Sequence, residues 1–180
     1  MYVNHNTKIT NISHLKNLEK LHAKNSSAID DASLIGLDLI ELNAGDNPKI
    51  TTVSHMKRLK ILCAYDDCGI DDAGIRGINP YFLQAGGNRR ITNIAHMTNL
   101  KILYCYDTCG INDAKLSDLE LIYLDASHND RITDVSFMKS LKILDADGST
   151  CGISDNGIRG LALVEISYIG NVKITKKLSL

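Results

Sequence analysis

The chain copies one short unit along nearly its whole length. Ile9, Ile50, Ile91 and Ile132 recur every 41 residues and Ile174 follows after 42, and their neighbours recur with them: KITNISHL from Lys8, KITTVSHM from Lys49, RITNIAHM from Arg90 and RITDVSFM from Arg131. A second series, Ile29, Ile70, Ile111 and Ile153, splits each long period into steps of 20 or 21 residues. The chain therefore reads as one domain, 1–180, of about eight units in alternating A and B kinds, starting and ending partway through a unit. A unit this short cannot bury its own apolar side. It must stack on its neighbours, which makes a solenoid.

The B units run LIELNAGDNPKI from Leu39, LIYLDASHNDRI from Leu121 and LVEISYIGNVKI from Leu163, with Ala44, Ala126 or Tyr168 in the third apolar slot and Asn three residues later. The A units put Cys or Ser in place of that Asn, as in LKILCAYDDCGI from Leu59 and LKILYCYDTCGI from Leu100. These segments resemble the leucine-rich repeat family. The linking text, I-T-x-I/V-S/A-x-L-x-x-L, is most similar to the short repeats of bacterial internalins and of intracellular phosphatase-regulating relatives. The resemblance covers about the whole chain and implies an α/β class: a right-handed solenoid with a parallel β-sheet on its concave face and short 3₁₀ or irregular segments on the convex side. It says almost nothing about function, because the family is defined by its architecture. A helical reading fails on Asn47-Pro48, Gly69, Gly86-Gly87, Gly110 and Gly152, which interrupt every candidate helix.

Composition excludes several classes. With 44% hydrophobic and 23% charged residues and a net charge of −1, neither disorder nor a lipid phase is indicated. No charged-then-apolar leader and no apolar run near the roughly 18 residues of a membrane span is present, so a cytoplasmic protein without a membrane partner is expected. Nucleophile elbow, phosphate loop and H-E-x-x-H spacing are all missing, so the reading is of no enzyme, no cofactor and no metal.

Three recurrences invite functional readings. Cys68, Cys109 and Cys151 share one repeat position, and at two strand spacings they stand about 10 Å apart, too far for a disulfide or a shared zinc. They read as small buried groups at the turn, with Cys105 inward and Cys63 outward and alone expected to react readily. His14, His55 and His96 also share a position, which Phe137 takes in the fourth copy, so aromatic packing is expected there and not a metal stripe. Finally, Lys8, Lys49, Arg90, Arg131 and Lys173 alternate with Asp31, Asp72, Asp113 and Asp155. A phosphate-tracking stripe and a ladder of surface ion pairs both fit. The balanced charge favours the ladder, with no nucleic acid as partner.

The resemblance implies that parallel strands line a concave face, and strand alternation then points three rows of side chains outward there. The first is Lys20, Glu41, Ile61, Phe82, Ile102, Tyr123, Ile143, Glu165; the second His22, Asn43, Cys63, Gln84, Tyr104, Asp125, Asp145, Ser167; the third Lys24, Gly45, Tyr65, Gly86, Tyr106, Ser127, Asp147, Ile169. Tyr65, Phe82, Tyr104, Tyr106 and Tyr123 thus converge on solvent beside Ile61, Ile102 and Ile143, with Asp125, Asp145 and Asp147 towards the carboxyl end. Such residues mark binding surfaces, although strands also favour them for cross-strand packing. The reading is a non-enzymatic module that binds a protein or peptide on its concave face. The alternative is a structural unit that stacks end to end as a homo-oligomer, because neither end encodes a polar cap. Its contact would be the carboxyl rung with Ile174, Leu178 and Leu180.

Overall fold

Every unit places one apolar residue between two outward ones, and that triplet is the strand. In the computed structural model, which describes residues 1–175, the strands are β1 Lys20–His22, β2 Glu41–Asn43, β3 Ile61–Cys63, β4 Phe82–Gln84, β5 Ile102–Tyr104, β6 Tyr123–Asp125, β7 Ile143–Asp145 and β8 Glu165–Ser167. They form one parallel sheet in sequence order. The register carries Leu21, Leu42, Leu62, Leu83, Leu103, Leu124, Leu144 and Ile166 down a single column. From Leu21 to Leu144 that column is wholly buried. Each such side chain contributes roughly 1.5–3 kcal/mol of apolar burial. Leu178 and Leu180 lie outside the described residues.

The α/β class is overturned, and with it the row of 3₁₀ segments that was one of the two forms expected on the convex side. The molecule is an all-parallel β-solenoid. Among the described residues there is no α-helix, and 3₁₀ geometry is confined to Ala32–Leu34 and Asp113–Lys115. The other connections bend through isolated turns such as Met56 N–H to Val53 O, Met97 to Ile94 and Met138 to Val135. The reason lies in where the backbone donors go. Val53 and Val135 donate to Gly74 and Gly157 in the next unit, while Gly69 and Gly152 donate to Asn47 and Asn129 in the preceding one. Donors committed between rungs cannot close a helix within one.

Among the described residues the outer side carries a hydrogen-bond ladder where ion pairs were expected. Asp31 accepts from the backbone and hydroxyl of Thr51, Asp72 from those of Thr92, Asp113 from Thr133 and Asp155 from Thr175, at 2.5–3.1 Å. Burial opposes ionisation of Asp72, but the bonds from Thr92 and Asn93 hold its carboxyl below the usual range. Lys49 and Lys173 point their ammonium groups at the carbonyls of Ser27 and Cys151. The ion pairs among the described residues are Lys20–Glu41, His22–Glu41, Arg58–Glu19 and Lys101–Glu120, none belonging to that series. His55 and His96 likewise meet the carbonyls of Leu34 and Ile75 at 3.2 Å, so this row ties rungs together by hydrogen bonds.

Inside, the B-unit asparagines bind the rungs. The Asn88 side-chain amide donates to Ala64 O at 2.8 Å and Ile70 O at 3.1 Å, and its oxygen accepts from Arg90 N at 2.9 Å. Asn47 and Asn171 repeat the same three bonds, and Asn129 donates to Cys105 O. All four are buried. Asn88→Ala strands two buried carbonyls and one N–H and should cost about 2–4 kcal/mol in a urea titration. Asn88→Asp needs a protonated carboxyl to donate, so its folded-state pKa is raised. Relative to the parent chain it should be most stable below about pH 4 and lose stability as pH rises.

Candidate interaction face

The side of the sheet away from the core is built by the three outward rows. Register pairs Ile61 with Phe82, Phe82 with Ile102 and Ile102 with Tyr123 in the first row, and Cys63, Gln84, Tyr104, Asp125 and Asp145 in the second. Backbone bonds from Asp46 N to Tyr65 O, Asp66 N to Gly86 O, Gly87 N to Tyr106 O and His128 N to Asp147 O carry the third row past the strand ends. All ten residues singled out from the sequence, Ile61, Tyr65, Phe82, Ile102, Tyr104, Tyr106, Tyr123, Asp125, Asp145 and Asp147, occur on this one face, and all are half-buried.

That half-burial has particular causes. The Tyr104 ring stands between those of Phe82 and Tyr123, with centroids 5.5 and 4.8 Å away and planes tilted by 44° and 41°, a geometry that adds about 0.5–1.5 kcal/mol per pair. Tyr106 lies against Gly86, where a Cβ would come within 2.3 Å of its ring, and Tyr65 against Gly45, where one would come within 2.1 Å. Gly45 and Gly86, at the same position of two B units, are each the seat for the tyrosine of the following A unit. Tyr106 also accepts from Gln84 Nε2 at 3.2 Å. The aromatics therefore form a fixed, packed surface with one side open.

Beside it lie the carboxylates. Tyr123 donates to Asp145 Oδ2 at 2.5 Å, and burial together with that bond pushes the Tyr123 phenol far above its ordinary range. Asp147 Oδ1 accepts from Ser167 Oγ and Ile169 N, both at 2.6 Å. Burial raises the Asp125 carboxyl; bonds from Ser127 oppose the rise, and Asp145 and Asp147 add to it. At the amino end Glu41 is closed by His22 at 2.8 Å and Lys20 at 3.1 Å.

Cys63 is corrected from the reactive thiol expected of it. Desolvation pushes it to about 11 and Glu41 adds to the effect, so thiolate is scarce at neutral pH. The sequence reading also missed a fourth row at the strand entrances. Backbone bonds align Ile40, Lys60, Tyr81, Lys101, Ile122, Lys142 and Val164 there. Tyr81 at 49% and Ile122 at 42% exposure extend the apolar surface beyond Phe82 and Tyr123. Their signal was present as an alternation of lysine in A units with an apolar residue in B units. On the opposite side of the solenoid, Ile35, Leu37, Ala32 and His55 line a recess of about 690 Å³.

Among the described residues no group of three or more His, Cys, Asp or Glu could hold a metal ion, and no helix is long and apolar enough to cross a membrane. No protein-family model and no curated protein matches the chain. Among solved structures, the crystal structure of an internalin C2 from Listeria monocytogenes aligns with a TM-score of 0.57 at 25% identity, covering 87% of this chain and 73% of that one. This likeness supports a general association with internalin-like leucine-rich-repeat proteins.

Two outcomes follow from the geometry. Gly86→Ala should drive Tyr106 off its seat at a cost of about 1–3 kcal/mol, read as a lowered melting temperature together with a changed tyrosine near-ultraviolet signal. Asp125→Asn keeps the acceptor for Ser127 N and removes the raised carboxyl. A raised carboxyl in the folded state means stability is lost as pH rises through its pKa. Relative to the parent chain, this variant should gain stability at pH 7 and none at pH 3, as thermal melts will report.

Proposed function

We propose that the chain is a non-enzymatic interaction module that holds a protein or peptide on the open face of its parallel sheet. The observation that carries this reading is the strip Phe82–Tyr104–Tyr123, packed as tilted ring pairs and left half-exposed on the side away from the core. Rigid aromatic surface that costs little ordering entropy is what binding hot spots use. The resemblance to an internalin agrees with the reading in a general way. An intracellular setting is part of the same proposal.

The test separates face from core. Tyr104 and Tyr106 changed together to Ser should lower stability only modestly, because their contacts are with neighbouring rings and a glycine seat. Leu103→Ala, between them and wholly buried, should cost about 2–5 kcal/mol. Pull-downs from source-cell lysate should lose their specific partners with the tyrosine pair and keep them with an outer-side control such as Phe137→Ser. Full retention by the folded tyrosine variant would move the site elsewhere.

A second reading, stacking of copies end to end, has one observation in its favour. Ile166 and Tyr168 are half-buried, whereas Leu144 and Ala146, their neighbours in register, are wholly buried. Light scattering that finds only monomer at tens of micromolar would dismiss it.

A further inference from the structure

The binding face has a charge asymmetry that specifies the chemistry of its occupant. The three outward rows of β6, β7 and β8 contain Asp125, Asp145, Asp147 and Glu165 and no cation. The lysines at the entrances of the neighbouring strands do not neutralise them. Lys101 is paired with Glu120 at 3.1 Å, and the Lys142 ammonium donates to Ala162 O at 3.4 Å. Among the described residues, Asp145 Oδ1 and Asp147 Oδ2 have no hydrogen-bond partner, although the other oxygen of each carboxylate is fixed by Tyr123 or by Ser167 and Ile169. Asp145 is thus tied to Tyr123 of the ring pair, and Asp147 follows it two residues further along the same rung.

Resting on the open-face reading, we propose that the occupant is an extended protein segment bearing arginine, whose guanidinium group sits over the Tyr104 and Tyr123 rings and donates to Asp145 and Asp147. A guanidinium combines the two requirements of this surface. Its planar face is attracted to aromatic rings, and its edge presents a fork of donors to carboxylates. A lysine ammonium is a compact, strongly hydrated point charge and serves the first contact less well. An acidic segment is repelled by all four carboxylates. At the opposite end of the face the Lys20–Glu41–His22 cluster is internally neutralised, so the charge also orients the segment.

The experiment uses short fluorescent peptides that alternate arginine, lysine or glutamate with glycine, titrated with the full chain by polarisation. The arginine peptide should bind most tightly, the lysine peptide several-fold more weakly and the glutamate peptide not at all. Arginine binding should weaken as salt rises from about 50 to 300 mM. Asp145→Asn with Asp147→Asn should cost about tenfold or more in affinity, and Tyr104→Leu should abolish the preference for arginine over lysine. Thermal melts confirm that each variant is folded. Equal binding of the glutamate peptide, or undiminished binding by the folded Asn pair, overturns the inference. If the arginine peptide fails to bind while the Tyr104 and Tyr106 pair still governs capture of protein partners, the proposed chemistry is wrong and the open face remains the site. Failure of both removes the face as well.

Discussion

The structure depends on the completion of each rung by the next. No unit closes its own core, and much of the polar backbone around the turns is satisfied across a rung boundary. The buried asparagines make this most concrete: the Asn88 side chain joins the carbonyls of Ala64 and Ile70 to the amide of Arg90. A buried carbonyl without a partner is costly, so the amide fixes both the spacing and the register of adjacent units. A one-residue slip would misplace every one of these bonds and turn the leucine column outward.

On the outer side the same constraint disfavours α-helix. Asp31, Asp72, Asp113 and Asp155 each reach about one unit ahead to cap a threonine, and donors at Val53 and Val135 go to the following unit. The turn after each strand is equally uniform. Asn25, Asp46, Asp66, Asp107 and His128 all adopt positive φ between 53° and 62°, and Gly87 and Gly148 hold the same place in other units. Asn, Asp and His are the non-glycine residues that tolerate this region best. A repeated left-handed turn brings the chain back after every strand.

A scaffold this repetitive gives the open face its rigidity. Because strand register is fixed from inside, Phe82, Tyr104 and Tyr123 stack without any contribution from a ligand, and the seats at Gly45 and Gly86 hold Tyr65 and Tyr106 flat. Preorganisation lowers the ordering cost of binding. It also means that the aromatics serve the fold in part, so a substitution among them acts on stability and on recognition together.

The sequence by itself determined the periodicity, the parallel strands and the sorting of residues between core and face. Repeat spacing and alternation are local rules, and the leucine column and three outward rows follow from them residue by residue. What it did not determine was how neighbouring units satisfy one another. Asp31, Asp72 and Asp113 looked like partners for lysine and arginine, but the structure gives them threonines about 20 residues on. His55 and His96 looked like aromatic packing and bond carbonyls. Cys63 looked reactive because it points outward, but desolvation between rungs raises its thiol to about 11. The convex side looked like short 3₁₀ or irregular segments, and apart from Ala32–Leu34 and Asp113–Lys115 it is made of isolated turns. Each of these depends on which backbone group of the next rung lies within about 3 Å, a distance set by stacking and absent from any single unit. Tertiary structure alone decided it, because hydrogen bonding and desolvation depend on contacts that exist only once the rungs are assembled.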